Sequence, residues 1–253
     1  MKQIKSLHKI MISIIILLMG LVIPTQGEKS PSRVVNTVPY VEQMRNYCGP
    51  AALTSVLKYW NVATDQKTVG KVVYDSNIRA TNGADMMLYA RDKGLSGYSW
   101  NSNISDLKEK LAQGVPVIVL QDISTSDKSG HYRVATGYDD SRRVIFVNDP
   151  YSPSTKELSY AKFQSLWQRH GNWSLLICPP EKDIFKKELD ENNPVVHIDL
   201  AYIYLKRGDV TSSQRESRLA LALEPQNYSA QTLLAQATRA AGFRDKGEKV
   251  RVY

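Results

Sequence analysis

Cys48 stands in Gln43-Met44-Arg45-Asn46-Tyr47-Cys48-Gly49-Pro50-Ala51-Ala52-Leu53, where an extended apolar approach (Val38-Pro39-Tyr40-Val41) turns into a helix expected over residues 51–60. Pro50 suits a first helical turn, where a missing N–H costs nothing. A cysteine just ahead of that turn faces unpaired N–H groups and the positive end of the helix dipole. Such a setting favours the thiolate, which is the nucleophilic form. Gly49 and Ala51 are read as leaving room for a substrate beside the sulfur. Two readings stand for Cys48: a nucleophile, or a structural thiol that is buried or bridged to Cys178, the second of the two cysteines. Cys178 ends the apolar run Trp173-Ser174-Leu175-Leu176-Ile177, and a buried small hydrophobe is the common fate of such a residue.

A nucleophile needs a base and a group that orients the base. Of four histidines, His8 lies in an N-terminal leader, His170 in a polar turn and His197 in the C-terminal segment, which leaves His131. His131 opens the run His131-Tyr132-Arg133-Val134-Ala135-Thr136-Gly137-Tyr138, Asp139-Asp140-Ser141 turns the chain, and Val144-Ile145-Phe146-Val147-Asn148-Asp149 returns. Read as a hairpin, this brings the start of one strand beside the end of the next, so His131 and Asp149 become neighbours. Asn148 is the other candidate for the orienting role, but alternation along the strand points it the opposite way. The imidazole can take the thiol proton and later protonate a leaving amine. The carboxylate fixes its tautomer. Gln43 can aim an amide N–H at a developing oxyanion. Each residue also has an ordinary reading: a strand-edge histidine, a turn aspartate before Pro150, and a glutamine that satisfies loop backbone.

The elements that must hold these residues follow a clear order. Helical signals dominate first, in part of residues 64–76, in residues 84–93 with Gly94 as the stop, and in residues 106–112 with Ser105 as the cap. Strand signals follow: the apolar run after Pro116, the hairpin, and residues 173–178 closing the sheet, with a short helix at residues 161–167. Helices first and an antiparallel sheet after is an α+β order.

The set Gln-x4-Cys-Gly-Pro-Ala-Ala-Leu, His-Tyr-x-Val-x-x-Gly-Tyr and Asn-Asp-Pro resembles the peptidase C39-like cysteine peptidases, which are papain-like enzymes whose best-known members trim leader peptides behind a double glycine. The resemblance runs from about Val38 to Pro180 and includes Thr81, Leu88, Ala90, Gly94 and the Pro116-Val117-Ile118 strand. It implies a papain-like fold with N-terminal helices packed on an antiparallel sheet, and assigns Cys48 as nucleophile, His131 as base, Asp149 as orienting acid and Gln43 as oxyanion donor. It implies a peptide or protein substrate cleaved through a Cys48 thioester. Two other readings share the architecture: acyl transfer to an amine in the manner of transglutaminase-like relatives, and a catalytically silent peptide-binding or assembly module. Nothing here supplies the membrane domain and ATPase of the transporter-linked members, and Arg133 falls where an apolar residue is usual, so double-glycine specificity is not carried over.

The two ends complete the organisation. Lys2, Lys5 and Lys9 precede an apolar run at residues 10–23 and then Pro24-Thr25-Gln26-Gly27, the pattern of a signal peptide over residues 1–27. The run is short for a membrane span; an uncleaved anchor is the alternative. Either way the remainder is expected outside the cytoplasm, secreted or periplasmic, with no integral membrane domain once the signal is removed. The formal charge of +8 falls to about +5 without those lysines, and no basic cluster interleaved with aromatics implies nucleic acid. No cofactor is implied, and no spaced ligand cluster implies a metal. Residues 34–180 are the expected peptidase domain. In residues 181–253, Leu200-Ala201, Tyr204, Gly208, Ala220 and Pro225 stand at tetratricopeptide spacing, and a shift of about 34 residues carries Leu200-Ala201 to Leu234-Ala235 and Gly208 to Gly242. That makes one repeat and the first helix of another, expected to lean on the peptidase domain or on a protein partner, with Ser213 and Ser217 weakening the packing.

Overall fold

The computed structural model describes residues 31–153 and 155–245. The expected signal peptide lies outside the described residues. The chain begins with a short strand β1 (Arg33–Val35), then helices α1 (Cys48–Tyr59) and α2 (Gln66–Val73), a small ribbon of β2 (Tyr74–Asp75) and β3 (Ala80–Thr81), and α3 (Gly83–Asp92). Next come β4 (Ser96–Asn101), α4 (Ile104–Ala112), β5 (Val117–Asp122), β6 (Gly130–Asp139), β7 (Val144–Asn148), β8 (Thr155–Ser159), α5 (Tyr160–Trp167) and β9 (Trp173–Cys178). Three helices end the described chain: α6 (Pro194–Lys206), α7 (Val210–Leu223) and α8 (Tyr228–Asp245).

The sheet runs β4-β9-β5-β6-β7-β8, antiparallel at every pairing, with β1 pairing the far half of β6. This is the expected α+β architecture. β6 is buried from His131 to Asp139, as a central strand should be. It shifts register against β7 between Ala135 and Gly137, where β1 crosses so closely that a Cβ on Gly137 would lie 2.2 Å from Val34 O. Helix α1 is buried from Gly49 to Leu57 and packs against this strand.

Several local expectations are corrected. Helix α1 starts at Cys48 rather than Ala51, so the cysteine is the first helical residue. Asn103, not Ser105, caps α4, because its side chain accepts from Asp106 N at 3.0 Å. Residues 173–178 do not close the sheet; β9 lies between β5 and β4, a strand whose sequence Ser-Gly-Tyr-Ser-Trp-Asn carries little apolar alternation.

Helix α6 has two faces. Val196, Leu200 and Ile203 enter the same core as Leu53, Met87, Ile118 and Leu175, while Ala201 and Leu205 join Val210, Leu233 and Ala237 in a smaller cluster among the three helices. Polar contacts reinforce the seam: Trp173 Nε1 donates to Asp199 Oδ2 at 3.0 Å, Asn193 Nδ2 to Ser99 O at 2.7 Å, and Arg207 Nη2 to Asp85 Oδ1 at 3.1 Å. Ser213 and Ser217 are fully buried, not weak points; Ser213 Oγ donates to Ala201 O and Ser217 Oγ to Ser213 O. Helices α6 and α8 start 34 residues apart, yet Gly208 sits past a helix end at φ +78° whereas Gly242 lies inside α8. Among the described residues no helix is long and apolar enough to cross a membrane.

Because Leu200 belongs to the main core, Leu200→Ala should lower the stability of the whole described fold by about 2–5 kcal/mol. Urea unfolding followed by tryptophan fluorescence should show one shifted transition; a separate early transition of the C-terminal helices alone would contradict a shared core.

Candidate active site

The turn that delivers Cys48 is built from Asn46, held at φ +63°, a region asparagine tolerates better than most residues. Tyr47 N donates to Met44 O, and no side chain caps the helix. Pro50 has no N–H and Ala51 N donates to Tyr47 O, so in the first turn it is the Gly49 N–H that bonds the sulfur. Gly49 does not make room for a substrate as expected: a Cβ there would lie 2.6 Å from Thr81 Cβ, so its lack of a side chain admits β3 against the helix start. Ala51 is fully buried.

The approach to the cysteine is stitched to the strand that carries the acid. Asn148 Nδ2 donates to Val38 O at 3.0 Å, Tyr40 OH to Pro150 O at 3.3 Å, and Gln43 N to Pro150 O at 3.0 Å. Asn148 thus faces away from the base, as alternation predicts, and its Oδ1 accepts from Thr155 Oγ1. Asp149 faces the other way, and its Oδ1 lies 2.7 Å from His131 Nε2. The second ring nitrogen is left for Cys48, with which His131 shares a side-chain hydrogen bond. Cys48, His131 and Asp149 are therefore brought together. Gln43 lines the same cleft as Cys48, His131, Thr81, Gly130 and Tyr151, with a volume of about 490 Å³, in the usual range for ligand sites.

Electrostatics favour charge separation in this cluster. Burial pushes the Cys48 thiol up, but the hydrogen bond and charge of His131, with backbone N–H groups of Tyr132 and Gly49, bring it below its ordinary value. Burial likewise lowers His131, yet the hydrogen bonds from Asp149 and Cys48 outweigh this and the opposing charge of Arg133, and the imidazole is raised. Asp149 is buried too, and His131, Arg133 and Tyr151 N hold it well below the usual carboxylate range. Cys178, by contrast, is pushed up to about 12 by burial. Both thiols are free.

Two buried polar atoms in the cleft wall have no partner among the described residues, Gln43 Oε1 and Thr81 Oγ1. Leaving such atoms unbonded is costly, and a ligand's polar groups would relieve the cost. His170 and His197 lie elsewhere, His170 Nε2 at 3.1 Å from Asp122 Oδ1 and His197 bridging Glu216 and Asp190 O. Sequence reasoning missed three neighbours of the acid and base. Tyr151 sets its ring edge-on to His131 with centroids 6.0 Å apart, and Arg133 Nε and Lys156 Nζ reach Asp149 Oδ2 at 3.0 and 3.1 Å. Period-two alternation from His131 would have found Arg133; Lys156 carried no such signal.

The family described as Peptidase C39 like matches residues 35–175. Among solved structures the chain is similar to a double glycine motif protease from an AMS/PCAT transporter in complex with the leader peptide, at 20% identity over 58% of this chain and 94% of that one, TM-score 0.48. It is also similar to the peptidase domain of Streptococcus ComA, at 22% identity over 55% and 97%, TM-score 0.47. A third is the N-terminal peptidase C39 like domain of a toxin secretion ATP-binding protein from Vibrio parahaemolyticus, at 12% identity over 54% and 99%, TM-score 0.42. No curated protein matches the chain.

The paired geometry predicts a distinctive pH dependence for iodoacetamide alkylation of Cys48. In the unaltered chain the rate should stay nearly flat below the ordinary thiol pKa of about 8.5, with a step where His131 gives up its proton. In His131→Ala the plateau should vanish, leaving a rate that falls about tenfold per pH unit below the thiol's pKa. Asp149→Asn should move the step to lower pH, because the charge that raises the imidazole is gone. Superimposable profiles for all three chains would contradict the pairing.

Proposed function

The chain belongs to the Peptidase C39 like family, and from that membership and the geometry of its cleft we propose that it is a cysteine peptidase acting on a peptide or protein through a thioester on Cys48. The observation that carries the reading is the placement of His131 between Cys48 and Asp149 Oδ1 in the wall of a cleft. The Cys48 thiolate attacks the scissile carbonyl and a C–S bond forms. Gln43 side-chain N–H and backbone N–H groups at the helix start stabilise the oxyanion. The His131 imidazolium protonates the leaving amine as the C–N bond breaks. The neutral imidazole then takes a proton from water, hydroxide attacks the thioester, and the thiolate leaves. Asp149 holds the ring in one tautomer throughout and keeps its own charge.

Export is part of the proposal, supported by Lys2, Lys5 and Lys9 ahead of the apolar residues 10–23. The C-terminal helices are proposed to serve a helical-repeat role toward a protein partner, supported by the 34-residue spacing of α6 and α8.

Chain recovered from outside the producing cell, with its N-terminus at Glu28, should cleave members of a diverse peptide mixture, read as new N-termini by mass spectrometry. Cys48→Ala should cleave none of them, and Gln43→Ala should cut turnover by about 10²–10³. Peptides bound but never cut, with Cys48 unmodified, would replace the peptidase with a binding module on the same fold.

A further inference from the structure

Arg133 follows His131 by two residues on β6 and is 4% exposed. A guanidinium taken out of water is costly unless its donors are used, and here four of the five N–H groups are. Nε donates to Asp149 Oδ2 at 3.0 Å, Nη1 to Gln121 Oε1 at 3.2 Å and to Asp122 O at 3.0 Å, and Nη2 to Ile123 O at 2.8 Å. Gln121 is itself anchored, donating through Nε2 to Phe163 O at 3.1 Å. One planar group therefore joins the acid's second oxygen, the end of β5, and the start of the loop whose Ile123 and Ser129 line the cleft.

Lys156 also reaches Asp149 Oδ2, but from a side chain 42% exposed. An ammonium on a flexible stem is a point charge, whereas a guanidinium is a rigid fork. Arg133, immobilised by its bonds to residues 121–123, is thus the rigid contact on Oδ2, while Oδ1 takes His131 Nε2 and Tyr151 N.

We propose that Arg133 is a positioning residue of this site, which locks the Asp149 carboxylate against His131 and ties it to the cleft wall at residues 121–123. The role rests on the peptidase reading above. Arg133 exchanges no proton and touches no reacting atom. Its charge does oppose the imidazolium that Asp149 and Cys48 favour, which keeps His131 able to release its proton to a leaving group. The groups facing His131 are Cys48 from α1, Arg133 on its own strand, Tyr151, and Asp149 after β7 with Lys156 of β8 behind it.

The test is the pH profile of iodoacetamide alkylation at Cys48 in the full chain, for the unaltered protein, Arg133→Met and Arg133→Lys. R133M removes the fork and the opposing charge together, two effects of opposite sign on the His131 step, so it is read by hydrogen exchange, which should speed at residues 123–129. R133K keeps the charge but loses the fork, so with Asp149 less firmly held against His131 the step should move to lower pH by about half a unit, roughly a threefold change in proton affinity. An R133K profile with the parental step overturns the proposal while leaving the peptidase reading intact. No His131-dependent step in the unaltered protein removes both. Should R133M lack the circular dichroism of the parent, R133K decides: with the fork lost it should slow neutral-pH alkylation by about threefold or more and speed hydrogen exchange at residues 123–129. Parental rate and exchange in R133K overturn the role.

Discussion

A thiol and an imidazole buried side by side each lose by ionising alone, because burial penalises charge. At this site each becomes the other's counter-ion, and Asp149 tips the balance by accepting from the far side of the ring at 2.7 Å. The pairing is a matter of tenths of an ångström and of angles, so the rest of the structure is best understood as what holds three side chains from three separate elements in register. Asp149 anchors the set: His131, Arg133, Lys156 and the N–H of Tyr151 all contact its two oxygens.

The fold achieves this with short-range ties. The segment before Cys48 is bonded to the end of β7 through Val38 O, Pro150 O and the N–H of Gln43, so nucleophile and acid ride on one connected backbone. On the other side, the missing side chain of Gly49 lets Thr81 close on the helix start, and Tyr132 OH donates to Thr81 O at 3.2 Å, linking that wall to the strand of the base. Tyr132 in turn packs edge-on against Trp173, whose indole N–H is held by Asp199 of α6. The C-terminal helices thus share a continuous packed network with the residue next to His131.

Much of this was legible in the chain. The hairpin turn and the alternation of Asn148 and Asp149 follow from a period of two, and the structure places both side chains as that period requires. His131 and Asp149 could be grouped because hairpin pairing converts sequence distance into contact, whereas Cys48 joined them only through the chemistry of its motif. What could not be read was tertiary. Arg133 looked like a polar intrusion on a strand face, since its partners at Gln121, Asp122 and Ile123 become visible only once β5 is laid beside β6. Strand β4 was missed because its burial comes from α3 and β9, not from an apolar pattern of its own. Ser213 read as a defect because its bond to Ala201 O on the neighbouring helix has no one-dimensional signature.

The whole arrangement turns on Cys48 carrying its charge at a pH where a free thiol does not. Thiolate absorbance near 240 nm, taken as the difference between the unaltered chain and Cys48→Ser across pH 4–9, measures this without any substrate. Cys178 does not interfere, being pushed up to about 12. Thiolate absorbance should already be present well below about 8.5, the value for an unperturbed thiol, and should be lost from that range in His131→Ala. A difference signal that rises only at or above that value, with or without His131, would contradict it.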